Sequence, residues 1–181
     1  MRCPRSLADL IEDDLKWFGI DWDDGGSAGG DAWYQSCRTA IYDRYFDVLK
    51  DKGLLYPCFC SRAELHTAQA PHRSDGTYIY AGTCRNLTPE QIAEKSKRRP
   101  PAWRVRVPER EMSFTDGCQG VYTENLAHDC GDFIIRRSDG VYGYQLAVVV
   151  DDGLMGVTEV VRGSDLLNST PRQMYLYEQL G

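Results

Sequence analysis

The chain has 181 residues, 42% of them apolar and 27% charged, with a net charge of −6, enough for one substantial core with at most a small added module. No apolar run approaches the roughly 18 residues that cross a bilayer, and the amino terminus lacks the basic-then-apolar order of an export signal, so a cytoplasmic protein with no membrane partner is expected. The negative balance excludes nucleic-acid binding through bulk positive charge, and seven cysteines, an odd number without an export signal, argue against a disulfide framework.

In chain order, Ser6 can cap a first helix in which Leu7, Leu10, Ile11, Leu15 and Phe18 recur at helical spacing, and Gly19 ends it. The Asp- and Gly-rich stretch 23–30 reads as a loop into a second helix near residues 32–52, with Ile41, Tyr45, Val48 and Leu49 on one face and Gly53 as its stop. Residues 54–57 form a short extended piece leading into Cys58-Phe59-Cys60. Ser61 offers a cap for a short helix, and residues 69–76 read as a loop. Thr88-Pro89-Glu90-Gln91 combines a capping residue, a first-turn proline and a glutamine three positions past the cap, so another short helix starts there. From Ala102 strand signals take over: Trp103, Val105 and Val107 alternate with Arg104 and Arg106, which predicts one buried and one basic face. Further strands are predicted over 132–136, 142–149 and 157–162, with Ser138-Asp139-Gly140 turning between the first two. A last helix begins near Thr170-Pro171, where Gln173 completes a second capping box. Helices, a cysteine-bearing insert and then mixed strands make an α/β domain with an insertion.

The insert carries the clearest chemistry. A structural zinc takes four donors at tetrahedral corners, usually as two short-spaced pairs on facing turns. Cys58-x-Cys60 supplies one pair; Cys84 follows Gly82 in a second turn, with Tyr80 four residues before it. A phenol is an uncommon ligand, since its ordinary pKa is about 10, but a dication favours its ionised form. On spacing alone His66 or His72 is the commoner fourth donor, and free surface thiols are the plain alternative. Cys3, Cys37, Cys118 and Cys130 are scattered singly and read as ordinary thiols. The run Lys95, Lys97, Arg98 and Arg99, with Arg104 and Arg106 beyond it, is either a solvated helix end or a local nucleic-acid face.

Longer runs carry a resemblance. Residues 144–152 (Tyr-Gln-Leu-Ala-Val-Val-Val-Asp-Asp), 156–167 (Gly-Val-Thr-Glu-Val-Val-Arg-Gly-Ser-Asp-Leu-Leu) and 169–173 (Ser-Thr-Pro-Arg-Gln) resemble the second half of the catalytic domain of glutamyl-tRNA synthetases, class I enzymes. The all-valine form before the paired aspartates and the Ser-Thr-Pro-Arg-Gln run look more like the glutamyl-queuosine tRNA(Asp) synthetase branch. That branch has a zinc site of the form Cys-x-Cys, a long gap, then Tyr-x-x-x-Cys, so the resemblance assigns Cys58, Cys60, Tyr80 and Cys84 as ligands and displaces the histidines. The gap before Tyr80 is longer than in familiar members, which makes the loop near 71–76 an insertion. Cys3-Pro4-Arg5-Ser6 and residues 15–22 are similar to the region after the first catalytic motif.

The resemblance implies a partial Rossmann-like class I catalytic domain: residues 1–56 as the end of the first half, 57–101 as the zinc-binding insertion, and 102–181 as connecting strands and the start of the second half. It implies ATP with Mg2+, glutamate and tRNA, tRNA(Asp) favoured, as partners, in a parent expected to be a monomer. Tyr144 and Arg162 align with residues that hold glutamate, and a guanidinium fork suits a carboxylate; their plain alternatives are a core tyrosine and a surface arginine. Asp165 is expected to help organise the nucleotide or tRNA end, with helix capping as its alternative. Neither the family's His-x-Gly-His nor its KMSKS motif occurs in the 181 residues, so no catalytic residue is assigned, both ends read as cut short, and the chain as given is expected to be inactive. An ordinary glutamyl-tRNA synthetase and a non-catalytic zinc-binding remnant remain as alternatives.

Overall fold

The computed structural model describes residues 5–61, 64 and 79–181. Cys3, His66, His72 and the expected loop 69–76 lie outside the described residues, as does most of the helix that Ser61 would open. The opening itself is present: Ser61 Oγ accepts from the Glu64 N–H at 3.2 Å, while the Glu64 carboxylate accepts from the Ser61 N–H. The chain divides into two compact units, Met1–Ile41 and Tyr42–Gly181.

In the first unit α1 spans Arg5–Trp17 and Gly19 follows it at φ 74°, as the apolar spacing predicts. Glu12 ties the helix to its loop, accepting from Lys16 Nζ at 2.8 Å and from the Ser27 N–H and Oγ at 2.7 and 2.9 Å. The expected long second helix is interrupted. Two 3-10 turns, Ser27–Trp33 and Gln35–Cys37, meet at Tyr34, whose extended backbone (φ −96°, ψ 117°) cannot continue a helix, and α2 begins only at Thr39.

In the second unit α2 (Thr39–Asp51) buries Tyr42, Phe46 and Leu49, a stripe at i, i+4 and i+7 lying one position round from the predicted face. Val48, assigned to that face, is exposed. Three antiparallel strands follow in the order β1-β2-β5: β1 (Leu55–Cys58), β2 (Ala102–Val105) and β5 (Ile134–Arg136). β1 is an edge strand, which accommodates Pro57 without an orphaned ladder bond. Register pairs Leu55 with Val105, Tyr56 with Arg104 and Cys58 with Ala102. Val105 and Val107 are buried as the alternation predicts, but Arg104 is buried too, so the basic-face expectation fails at that residue. A hairpin that the pattern did not announce, β3 (Glu111–Asp116) with β4 (Gly120–Asn125), turns where Asp116 accepts from the N–H groups of Cys118 and Gln119, both at 2.8 Å.

Two further expectations are corrected. Residues 142–149 do not form a strand: α4 spans Tyr144–Met155 and buries Leu146, Ala147, Val149 and Val150. A short apolar run fits a buried strand and a buried helix equally well, and packing on α5 (Ser169–Leu180) and β5 decides for the helix. Residues 157–162 are irregular rather than a strand, and all but Arg162 are exposed. Of the two predicted capping boxes one forms. Before α3 (Pro89–Ser96), Gln91 Oε1 accepts from the Thr88 N–H at 2.9 Å and Thr88 Oγ1 accepts from the Gln91 N–H at 3.3 Å. At α5 no side chain caps the helix: it begins at Ser169 after Asn168, so Thr170 lies within its first turn rather than at the cap, and Thr170 and Gln173 accept from Arg162 instead.

Candidate functional site

The short β1–β2 ladder places Cys58 at the end of β1, and the chain turns at once to bring Cys60 beside it. Tyr80 arrives through a parallel bridge to Gly131, a residue at φ 68°; a Cβ there would lie 2.7 Å from the Tyr80 carbonyl oxygen, so only glycine lets the two backbones meet. Residues 83–86 then fold as a turn that returns Cys84 to the phenol, whose oxygen accepts from the Cys84 N–H at 2.8 Å. Tyr56, Cys58, Phe59, Tyr80 and Cys84 form a buried cluster, with Leu87 and Ile92 packed against it.

The donor atoms converge. The three sulfurs lie within 4.8 Å of one another, and among the described residues this is the one group of three with that property. Cys60 and Cys84 Sγ are 3.6 Å apart, and Tyr80 Oη lies 3.4 Å from Cys58 Sγ and 3.7 Å from Cys60 Sγ. Tetrahedral donors around a zinc ion are separated by roughly 3.5 to 3.8 Å, so the spacing fits that ion. A disulfide is excluded at these sulfur separations, since it needs about 2.05 Å. The Phe59 N–H donates to Cys84 Sγ at 3.4 Å and Arg104 Nε to Cys58 Sγ at 3.3 Å, as suits sulfurs carrying negative charge.

The electrostatics divide the candidate ligands. Burial raises the Cys58 thiol, but hydrogen bonds from Tyr80, the Cys60 amide and Arg104 outweigh it and lower its pKa. Burial, then the neighbouring Cys58 charge, pushes Cys60 up to about 12. Burial and the Cys58 hydrogen bond push the Tyr80 phenol upward too, so its ionised form needs a nearby dication.

Arg162 lines a separate cavity of about 510 Å³ with Asp116, Asp152, Thr170, Gln173 and Tyr177. Its Nη1 donates to Gln173 Oε1 at 2.9 Å and its Nη2 to Thr170 Oγ1, which fixes the guanidinium on the first turns of α5. Gln173 is buried and its Nε2 has no acceptor among the described residues. Asp152 is pushed upward by burial first and by Asp151 second, against the pull of Arg162. Tyr144 stands half-exposed at the start of α4 and is not among the residues lining the cavity, so the two residues aligned with glutamate are not brought into one pocket. Asp165 is exposed in the 3-10 turn Ser164–Leu166 and caps neither that turn nor α5. Sequence reasoning missed Arg104, Asp132 and Gly131 around the cysteines and Gln173 beside Arg162; only the glycine had a signal, as an isolated glycine before a predicted strand.

The elements make an α/β domain with the cysteine cluster at the end of β1 and in the connection to β2. Residues 3–181 match the family described as tRNA synthetases class I (E and Q), catalytic domain, and the chain belongs to that family. It is 52% identical over 184 residues to the glutamyl-Q tRNA(Asp) synthetase of Nitratidesulfovibrio vulgaris, covering 99% of the chain and 57% of that protein. It is 49% identical over 181 residues to the protein of the same name from Neisseria meningitidis, covering 98% and 58%. The chain thus spans a little over half the length of these curated relatives. Among solved structures it is similar to a glutamate tRNA ligase from Elizabethkingia meningosepticum in complex with its amino acid, at TM-score 0.75 and 27% identity over 96% of this chain and 37% of that one. The glutamate-tRNA synthetase of Elizabethkingia anophelis matches at TM-score 0.76 with the same identity and coverage. No helix among the described residues is long and apolar enough to cross a membrane.

Proposed function

We propose that this chain is part of an enzyme that activates glutamate with ATP and transfers it to queuosine in tRNA(Asp), with Cys58, Cys60, Tyr80 and Cys84 holding a structural zinc. The observation that carries the reading is the near-complete coverage of the chain, at 52% identity, by a relative named glutamyl-Q tRNA(Asp) synthetase. The donor spacing supports the metal. Zinc here supplies a cross-link between the Cys58-x-Cys60 turn and the Tyr80–Cys84 turn, which stabilises residues 57–101 as an insertion.

Within this reading the pocket acts by positioning. Arg162, held from behind by Gln173 and Thr170, presents its remaining guanidinium donors to a glutamate carboxylate. Tyr144, which stands outside the Arg162 cavity, is assigned to the same substrate by the resemblance alone, as is Asp165 to the nucleotide or tRNA end. The His-x-Gly-His and KMSKS motifs to which the resemblance assigns the phosphate chemistry of ATP and Mg2+ do not occur in these 181 residues, so no residue here is given that role. A second reading, ordinary glutamyl-tRNA synthesis, is favoured by the structural likeness to glutamate tRNA ligases.

A chimera tests both. In the Nitratidesulfovibrio vulgaris relative, the segment matched by this chain is replaced by residues 1–181. Glutamate-dependent ATP–pyrophosphate exchange and labelled glutamate recovered in the anticodon fragment of tRNA(Asp) are expected. Label on the 3′-terminal adenosine selects the second reading, and loss of exchange in a folded chimera refutes glutamate activation. The chain alone is expected to give no exchange, and elemental analysis is expected to find one zinc per chain, lost in Cys84→Ser.

A further inference from the structure

Arg104 presents an unusual charge problem. It is 6% exposed, yet among the described residues its hydrogen bonds go to a sulfur and to a backbone carbonyl: Nε donates to Cys58 Sγ at 3.3 Å and Nη1 to the Asp132 carbonyl oxygen at 2.6 Å. The Asp132 carboxylate beside it is committed elsewhere, accepting from Tyr56 Oη at 2.6 Å and the Val107 N–H at 2.8 Å and pairing with Arg85 Nε at 3.5 Å. The face of the guanidinium lies instead on the Tyr80 ring, with Cζ 3.7 Å from the ring centroid. A buried cation is costly unless an anion faces it, and an aromatic face alone offsets little of that cost. The metal ligands are such an anion: three thiolates and a phenolate around a dication leave excess negative charge in a buried place.

We propose that Arg104 is the positioning residue of this metal centre, balancing the excess ligand charge and clamping the Tyr80 ring so that its oxygen, rather than an imidazole, completes the tetrahedron. The inference rests on the zinc reading above. The fold supplies the means: the β1–β2 register puts Arg104 opposite Tyr56, diagonal to Cys58, and the adjacent residues Gly131 and Asp132 hold the Tyr80 backbone and the Arg104 tip respectively. A phenolate brings a negative charge that a neutral histidine does not, and a cation stacked on its ring favours that choice.

The test is zinc release from the loaded full chain to an excess of chelator, below the melting temperature. Arg104→Met keeps the length and removes the charge; Arg104→Lys keeps the charge and loses the planar fork. Arg104→Met is expected to release zinc about 10- to 100-fold faster than the unaltered chain, with Arg104→Lys in between. In a Tyr80→His background, where there is no ring to clamp and less charge to balance, the effect of Arg104→Met is expected to shrink to about threefold or less. Zinc addition to the unaltered chain is expected to raise a near-ultraviolet phenolate difference band that is weakened in Arg104→Met, a signal that a purely packing role would not move. If Arg104→Met does not fold, Arg104→Lys decides by the same comparison in the two backgrounds. Unchanged release, or equal acceleration with Tyr80 and with His at that position, overturns the role of Arg104 while leaving the zinc reading intact; a chain that takes up no zinc overturns both.

Discussion

Side chains in this protein act in pairs in which one holds the other. Arg162 is the clearest case, because Gln173 and Thr170, which the sequence offers as a capping box, lie inside the first turns of α5 and accept from its guanidinium. Gln173→Leu is therefore expected to weaken glutamate binding by about tenfold in the chimera while leaving α5 intact, read by calorimetry and circular dichroism, since the helix never used that cap. Asp152, across the same cavity, has its carboxyl pushed upward mainly by burial. A carboxyl whose folded pKa exceeds its unfolded one favours the protonated form in the fold, so it contributes stability at low pH that is lost as pH rises through the folded value. Asp152→Asn is expected to raise the melting temperature at pH 7 and to make little difference at pH 3.5, measured by thermal denaturation.

Among the elements, α3 and the bridge to Gly131 show how local chemistry and long-range packing divide the work. The Thr88 box is entirely local, and it formed where the sequence placed it; Thr88→Ala is expected to cost about 1 kcal/mol in denaturant unfolding. The Gly131–Tyr80 bridge joins residues far apart in sequence, and no spacing rule could have paired them. Gly131→Ala is expected to cost about 1 to 3 kcal/mol and to accelerate zinc release, because its positive φ and its contact with the Tyr80 carbonyl both oppose a methyl group. The misread segment 142–149 follows the same logic. Its valines suit a strand, but Gly143 lets the chain start a helix hard against the Ile134 carbonyl, 2.6 Å from where a Cβ would sit, and burial on α5 and β5 outweighs propensity.

For the whole molecule, the two compact units differ in how much apolar surface they remove from water. Leu49, Val105, Leu126, Ile135, Leu146 and Leu176 are fully buried in residues 42–181, whereas no residue of α1 is buried. Hydrogen exchange is expected to be slowest at the amides of β2, β5 and α4 and fastest in α1, and the reverse order would contradict the assignment of the core. The sequence by itself determined what rests on neighbours in the chain: α1 and its glycine stop, the α3 box, the Cys-x-Cys turn, and the long runs that resemble one synthetase family. It also offered the four candidate metal donors, though spacing alone preferred a histidine and only the resemblance turned to Tyr80. The tertiary structure alone decided which strand-like residues are buried, that Arg104 turns inward onto Tyr80, that Arg162 bonds to Thr170 and Gln173, and that Tyr144 stands outside the Arg162 cavity. The division is physical: caps and turns are satisfied within a few residues, whereas a buried charge or a bridging glycine is defined by groups that only folding brings near.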